Sequence, residues 1–175
     1  MPTARGALPW QPATDALELL AGPVAAALPS APGALVSAID PPLADTAAFC
    51  AAYDVALEAS ANCVVVAGRR GEVTRYAAVM VLATDRADIN NVVRRRLDVR
   101  KISFAPQEDA VDRTGMEFGG ITPVGLPEDW PVLVDRRVAE CAEAVIGSGL
   151  RRSKLLVTGE VLAALPGAEV LDLTR

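Results

Sequence analysis

CVVVAGRRGEVTRYAAVMVLA, running from Cys63 to Ala83, decides the architecture. Two apolar runs, Cys63–Gly68 and Arg75–Ala83, flank the polar turn Arg69-Arg70-Gly71-Glu72. A continuous apolar run bounded by turn residues reads as a buried strand, and a short glycine-containing link joins antiparallel partners. Parallel partners would need a crossover of about a dozen residues or more. The stretch therefore predicts a hairpin at the centre of a sheet, and the chain is not a plain alternation of strands and helices.

Working outward, ALVSAI (Ala34–Ile39) suits a first strand, closed by the Pro41-Pro42 turn. Asp45 is placed to cap a helix running to about Tyr53. Residues 1–33 are rich in Ala and Pro with one short helical pattern, Asp15–Ala21, and read as an N-terminal extension packed on a domain spanning 34–175. Downstream, Thr84 or Asp85 opens a helix whose Ile89, Val92, Val93 and Leu97 share one stripe. KISFA (Lys101–Ala105) is a short strand, Pro106 starts a helix, and Gly115 follows its end. PVLVD (Pro131–Asp135) is a strand whose Asp135 caps the next helix. AVIG (Ala144–Gly147) and KLLVT (Lys154–Thr158) are two more strands, joined by GSGLRRS. A last helix ends near Pro166 before a terminal strand, Glu169–Leu173. Hairpins mixed with helices predict a single α+β domain.

The 175 residues suffice for one domain with a real core. Apolar residues make up 51% of the chain, but no run approaches the ~20 a membrane span needs. Pro2, Pro9, Pro12 and an early acid, Asp15, do not make a secretory signal, so a cytoplasmic protein is expected. Three cysteines without a C-x-x-C spacing point to neither a disulfide framework nor a zinc site. The chain has no histidine, which removes Ser-His-Asp and Cys-His nucleophile systems and the common neutral-pH base. Any chemistry must run on main-chain dipoles, water, hydroxyls, carboxylates or the substrate itself. The net charge of −5 lies wholly in residues 1–68, which hold one base and six acids. The bases of residues 69–175 come in clumps, among them Arg69-Arg70, Arg94-Arg95-Arg96, Arg100-Lys101 and Arg151-Arg152, so a basic face is compatible with an acidic chain.

Three loops can carry chemistry. FGGITPVGLP (Phe118–Pro127) packs three glycines and two prolines among apolar letters. Glycine lets a ligand approach main-chain N–H groups, and Pro123 stiffens the loop. Such a loop can hold fixed donors toward an oxygen gaining negative charge, or it can be a tight structural turn. GSGLRRSK (Gly147–Lys154) sets two glycines around Ser148 beside three cations, as in a small anion nest, or as in a plain strand connection. SANCVVV (Ser60–Val66) places Asn62 before a buried strand; Cys63 lacks any histidine to activate it as a nucleophile.

Taken in order, these loops resemble the YbaK/ProX family of aminoacyl-tRNA deacylases, whose domain also occurs as the editing insertion of bacterial prolyl-tRNA synthetases. The resemblance runs from about Asp40 to the C-terminus, and TGMEFGGITPVGLP (Thr114–Pro127) is its most specific piece. It implies a YbaK-like domain with a curved, mostly antiparallel mixed sheet flanked by helices. It further implies hydrolysis of the ester joining a wrong amino acid to tRNA, without metal or organic cofactor. Gly119, Gly120 and Thr122 then take the catalytic loop, with Asn62 where the family carries a lysine. Ile121, Pro123, Cys63, Gly147, Ser148 and Gly149 border the substrate, and Arg151, Arg152 and Lys154 meet the tRNA acceptor end. An aminoacyl-tRNA synthetase is a further partner; membrane and DNA are not expected.

Two departures stand out. Asn62 carries no charge where family members usually have lysine, and a histidine some members have near Gly147-Ser148 is absent. A missing ammonium at a phosphate contact costs about 1.5–3 kcal/mol unless replaced. Arg151, Arg152, Lys154 or the Arg69-Arg70 pair are the candidates to replace it. A member that binds tRNA or a synthetase but has lost turnover is the alternative reading, and a small-molecule-binding domain the third.

Overall fold

The computed structural model describes residues 1–174. In chain order its elements are β1 (Gln11–Pro12), α1 (Gly22–Ala26), β2 (Leu35–Ala38), α2 (Thr46–Tyr53), β3 (Ala61–Arg70), β4 (Val73–Leu82), α3 (Arg94–Arg96) and β5 (Lys101–Phe104). Then follow α4 (Gln107–Thr114), β6 (Val132–Asp135), α5 (Arg136–Ala139), β7 (Ala144–Gly147), β8 (Ser153–Val157), α6 (Gly159–Ala163) and β9 (Ala168–Leu171).

The predicted hairpin is the centre of the molecule. β3 and β4 pair antiparallel from Ala61↔Leu82 to Arg70↔Val73. Their turn uses Gly71 at φ +62°, a conformation glycine adopts without strain. β5 adds antiparallel to the far edge of β3, while β6 and then β9 add parallel beyond β4, giving the mixed order β5-β3-β4-β6-β9. The α+β layout is therefore as the sequence predicts, but the strands divide between two sheets. β1, β2, β8 and β7 form a separate antiparallel sheet in that order. The sheets meet where Ser60, just before β3, bridges to Val145 of β7.

β4 explains its own apolar run. Successive strand side chains point to opposite faces, and both faces of β4 are covered. Met80 and Leu82 pack with Val134, Ile146 and Leu155, whereas Ala77, Val79 and Val81 pack with Val93, Leu97 and Leu133 on the other side. The first of these clusters also holds Ala13, Leu20, Val24 and Leu28 from the N-terminal stretch.

Two local expectations are corrected. The helix expected over Asp15–Ala21 is instead a pair of 3₁₀ turns, Ala13–Asp15 and Leu17–Leu19. The Ala21 N–H donates to Ser148 O at 3.2 Å, a tertiary bond that takes the donor a continuing helix would use. The helix expected from Thr84 or Asp85 starts later, because Asp88 is the cap that accepts from the Asn91 N–H. Asp85 instead binds Arg137 at 2.5 Å, and residues Ile89–Val93 are π-wound before α3.

Replacing Leu28, 7% exposed in the shared cluster, with alanine should cost about 2–5 kcal/mol in urea unfolding. A change near zero would place the N-terminal stretch outside the cooperative core.

Candidate functional site

At the seam between the sheets lies a cavity of about 500 Å³. β3 contributes Asn62, Cys63 and Val65; β7 contributes Val145 and Gly147; β8 contributes Lys154. Gly119 and Ile121 close one side, and the rings of Phe104 and Phe118 stand at the rim, 66% and 50% exposed.

The glycine loop is held by main chain on main chain. α4 ends at Gly115 in the left-handed conformation, φ +68°, which turns the chain toward the β7–β8 connection. There the Glu117 N–H donates to Gly149 O at 2.9 Å, and the Gly149 N–H donates to Gly120 O at 2.7 Å. Arg151 N–H donates to Glu117 Oε1 at 2.9 Å. A Cβ on Gly147 would stand 2.5 Å from Gly120 O, and one on Gly120 would stand 2.8 Å from the Leu150 backbone. Neither position admits a side chain without moving backbone.

This lacing sorts the residues singled out in the sequence. Gly120 lies behind the cavity wall, its N–H spent on Glu117 O at 2.9 Å. Gly119 and Ile121 line the cavity, and among the described residues their N–H groups have no hydrogen-bond partner. Thr122 is fully buried outside the lining, with its Oγ1 unpartnered among the described residues. Pro123 lines a different cavity, with Pro127 and Trp130. Gly147 borders the site, whereas Ser148 and Gly149 lie outside its lining. Ser148 Oγ accepts from the Leu150 N–H at 3.2 Å and lies 2.6 Å from Ser153 Oγ, so it holds the turn.

On the β3 wall, the Thr46 hydroxyl donates to Asn62 Oδ1 at 2.7 Å, which leaves the Nδ2 amide as the free end. Burial pushes the Cys63 thiol up to about 12, so it stays protonated at neutral pH and behaves as a wall group.

The three cations expected to face tRNA are each engaged by the protein. Arg151 reaches Pro41 O at 3.3 Å and Phe118 O at 3.5 Å, with Asp45 at 3.8 Å. Arg152 donates to Glu18 O. Lys154 is not on the surface at all: it is 8% exposed inside the cavity wall. Its Nζ donates to Ala44 O at 2.9 Å and lies 5.2 Å from the centre of the Phe49 ring. Desolvation lowers its pKa below the usual lysine value; Cys50 and Asp45 oppose the shift and Arg151 adds to it.

A second concavity, of about 800 Å³, adjoins the first along β5. Arg69, Arg94, Arg100 and Lys101 line it, and among the described residues none of the four has a carboxylate at ion-pair distance. Lys101, Ile102 and Ser103 belong to this groove, while Phe104 and Ala105 belong to the cavity, so one short strand connects them.

Sequence reasoning missed Thr46, the aromatic rim and the interior position of Lys154. One signal was present: a lysine opening the otherwise apolar run KLLV.

The profile of the aminoacyl-tRNA editing domain matches residues 40–165. Among curated proteins, the proline–tRNA ligases of Leuconostoc mesenteroides and Listeria welshimeri are 35% and 30% identical over 71 residues. That stretch is 40% of this chain and only 12% of each ligase. A solved structure described as a candidate trans-editing enzyme for prolyl tRNA synthetase superposes with a TM-score of 0.75 at 23% identity, covering 89% of this chain and 96% of that one. A hypothetical protein of known structure gives 0.70 at 22% identity, covering 80% and 90%. These two likenesses establish the fold.

The lowered pKa of Lys154 carries a sign. Between its folded value and 10.5 the folded protein holds fewer protons than the unfolded chain, so stability rises with pH across that window. Measured by chemical denaturation, wild type should gain on Lys154→Met as pH climbs toward 10.5, by up to about 1.4 kcal/mol per pH unit. A difference independent of pH would contradict the buried, charged assignment.

Proposed function

This chain belongs to the aminoacyl-tRNA editing domain family, and from that premise we propose that it is a free-standing, trans-acting aminoacyl-tRNA deacylase. The observation that carries the reading is the cavity itself. Its walls are mostly apolar and, among the described residues, its main-chain N–H groups at Gly119 and Ile121 are unspent and it opens beside a groove of cations without carboxylate partners.

The aminoacyl group enters past Phe104 and Phe118 and lies against Cys63, Val65 and Val145. Its ester carbonyl oxygen faces the Gly119 and Ile121 N–H groups, and Asn62 Nδ2 supplies a neutral donor. Water adds to the carbonyl carbon, the oxyanion is held by donors that need no reorganisation, and the ribose oxygen leaves with a proton. No histidine is required, because positioned dipoles and the substrate's own hydroxyls do the work. The wall side chains sort amino acids by size, a task that binding at a synthetic site performs only ~10–200-fold for small apolar side chains. Gly120, Gly147 and Gly149 take part as the main-chain frame of that wall, and Thr122, Pro123 and Ser148 support it from behind.

The tRNA backbone runs over Arg69, Arg94, Arg100 and Lys101, with Arg151 at the cavity mouth. We place this activity in the cytoplasm, where its substrate is made; among the described residues no helix is long and apolar enough to cross a membrane.

Purified protein incubated with tRNAs mischarged with Ala, Ser or Cys should release the amino acid from one or two species. Intact ester in every case would leave a binding module instead. Arg100→Gln and Lys101→Gln should each weaken tRNA binding and reduce the slope of log affinity against log salt by about 1. An unchanged slope would take the tRNA off this groove.

A further inference from the structure

The cavity contains a charge that its architecture does not explain. Lys154 sits in the middle sheet position, paired with Gly147 of β7 on one side and Ser37 of β2 on the other. Its neighbours along β8, Leu155 and Leu156, are core residues. Burying an ammonium is costly unless an opposite charge and hydrogen bonds compensate it. Here, among the described residues, no carboxylate lies within ion-pair distance, and of the three N–H donors only one has a protein acceptor, Ala44 O at 2.9 Å. Asp45, the one acid in the lining, is turned toward Arg151 at 3.8 Å. A lysine kept only for packing would be replaced without loss by leucine or methionine. This one keeps two donors without a protein acceptor among the described residues, in a chamber lined mostly by Ala, Val, Ile and Phe.

We propose that Lys154 is a catalytic residue of this cavity, its ammonium stabilising the negative charge that develops on the ester oxygen when water adds. The inference rests on the deacylase reading of the same site and names the charged group which that reading lacks. Three features of the structure converge on it. Gly147, opposite Lys154 in the sheet, has no side chain to cover the lysine stem. The same Gly147 abuts Gly120 O, which places the glycine loop on the neighbouring strand position. Gly119, Ile121, Asn62 and Lys154 line one chamber, so two main-chain donors, an amide and an ammonium surround one volume. The phosphates are accounted for elsewhere, by the exposed groove, so an interior ammonium is left for the reacting group. It acts as a fixed charge: the bond from water oxygen to carbonyl carbon forms, the ribose oxygen departs with a proton, and Lys154 remains an ammonium throughout.

The test compares wild type with Lys154→Met and Lys154→Arg, each first shown to be folded by circular dichroism melting. On a mischarged tRNA that wild type cleaves, Lys154→Met should lower the single-turnover rate at least about 100-fold while tRNA binding stays within about twofold. A rate within threefold of wild type would overturn the assignment, and a loss confined to binding would make Lys154 a phosphate contact instead. A second measurement does not need turnover. Wild type should bind an adenosine bearing an alanine-like phosphonate ester, an anionic tetrahedral mimic, at least tenfold more tightly than the neutral amide-linked alanyl-adenosine. Lys154→Met should lose that preference and Lys154→Arg should retain part of it. If wild type cleaves nothing yet shows the preference and Lys154→Met loses it, the deacylase reading fails and the catalytic role with it, while an anion site at Lys154 stands. If the preference survives in Lys154→Met, the inference fails whatever the turnover.

Discussion

Two segments of main chain touch with nothing between them, and the site depends on that contact. The Gly149 N–H meets Gly120 O at 2.7 Å, and Gly147 leaves room for the same carbonyl. A Cβ on Gly147 would close on that carbonyl, and one on Gly120 would meet the Leu150 backbone. The consequence reaches both ways along the chain. Toward the N-terminus, the Ser148 carbonyl captures Ala21, which draws residues 13–28 into the core. Toward the cavity, the contact fixes where Gly119 and Ile121 stand and leaves their donors without a partner among the described residues. The bare apolar loop is thus structural at Gly120 and functional at its two neighbours. Replacing Gly120 would damage the wall as well as the chemistry.

Charge is partitioned with similar economy. Several arginines are neutralised within the fold: Arg5 by Glu143, Arg70 by Asp98, Arg96 by Glu169, Arg136 by Asp172 and Arg137 by Asp85. Three arginines that are not so paired among the described residues, Arg69, Arg94 and Arg100, line the groove next to β5 together with Lys101. One cation is buried inside the cavity. An acidic chain can therefore present a local path for a polyanion, because the field a ligand meets depends on which charges are left unpaired rather than on the sum.

Much of this was legible in the sequence, for a physical reason. The hairpin, β6 and the capped α4 and α5 are set by local periodicity, turn glycines and caps, which act within a few residues. The order of the three loops carried the family, and Asn62, Cys63, Gly119, Ile121 and Gly147 line one cavity. What could not be read is what depends on strand register and tertiary bonds. Lys154 looks like the last cation of a basic loop until its pairing with Gly147 turns it inward. Asp85 is as good a cap as Asp88 until Arg137 takes it. The division of the strands into two sheets rests on β2 reaching β8 across more than a hundred residues, roughly the separation of Val36 and Leu155, and no local pattern encodes it.

On this reading, one chamber holds the reacting end of an aminoacyl-tRNA between the glycine loop and Lys154. A crystal structure with amide-linked alanyl-adenosine, the stable counterpart of that end, tests it most directly. The amide carbonyl oxygen should lie within hydrogen-bond distance of the Gly119 or Ile121 N–H, with the Lys154 ammonium facing it and the ribose toward β5. A ligand seated in another cavity, or in this one with its carbonyl turned away from both the loop and Lys154, would contradict it.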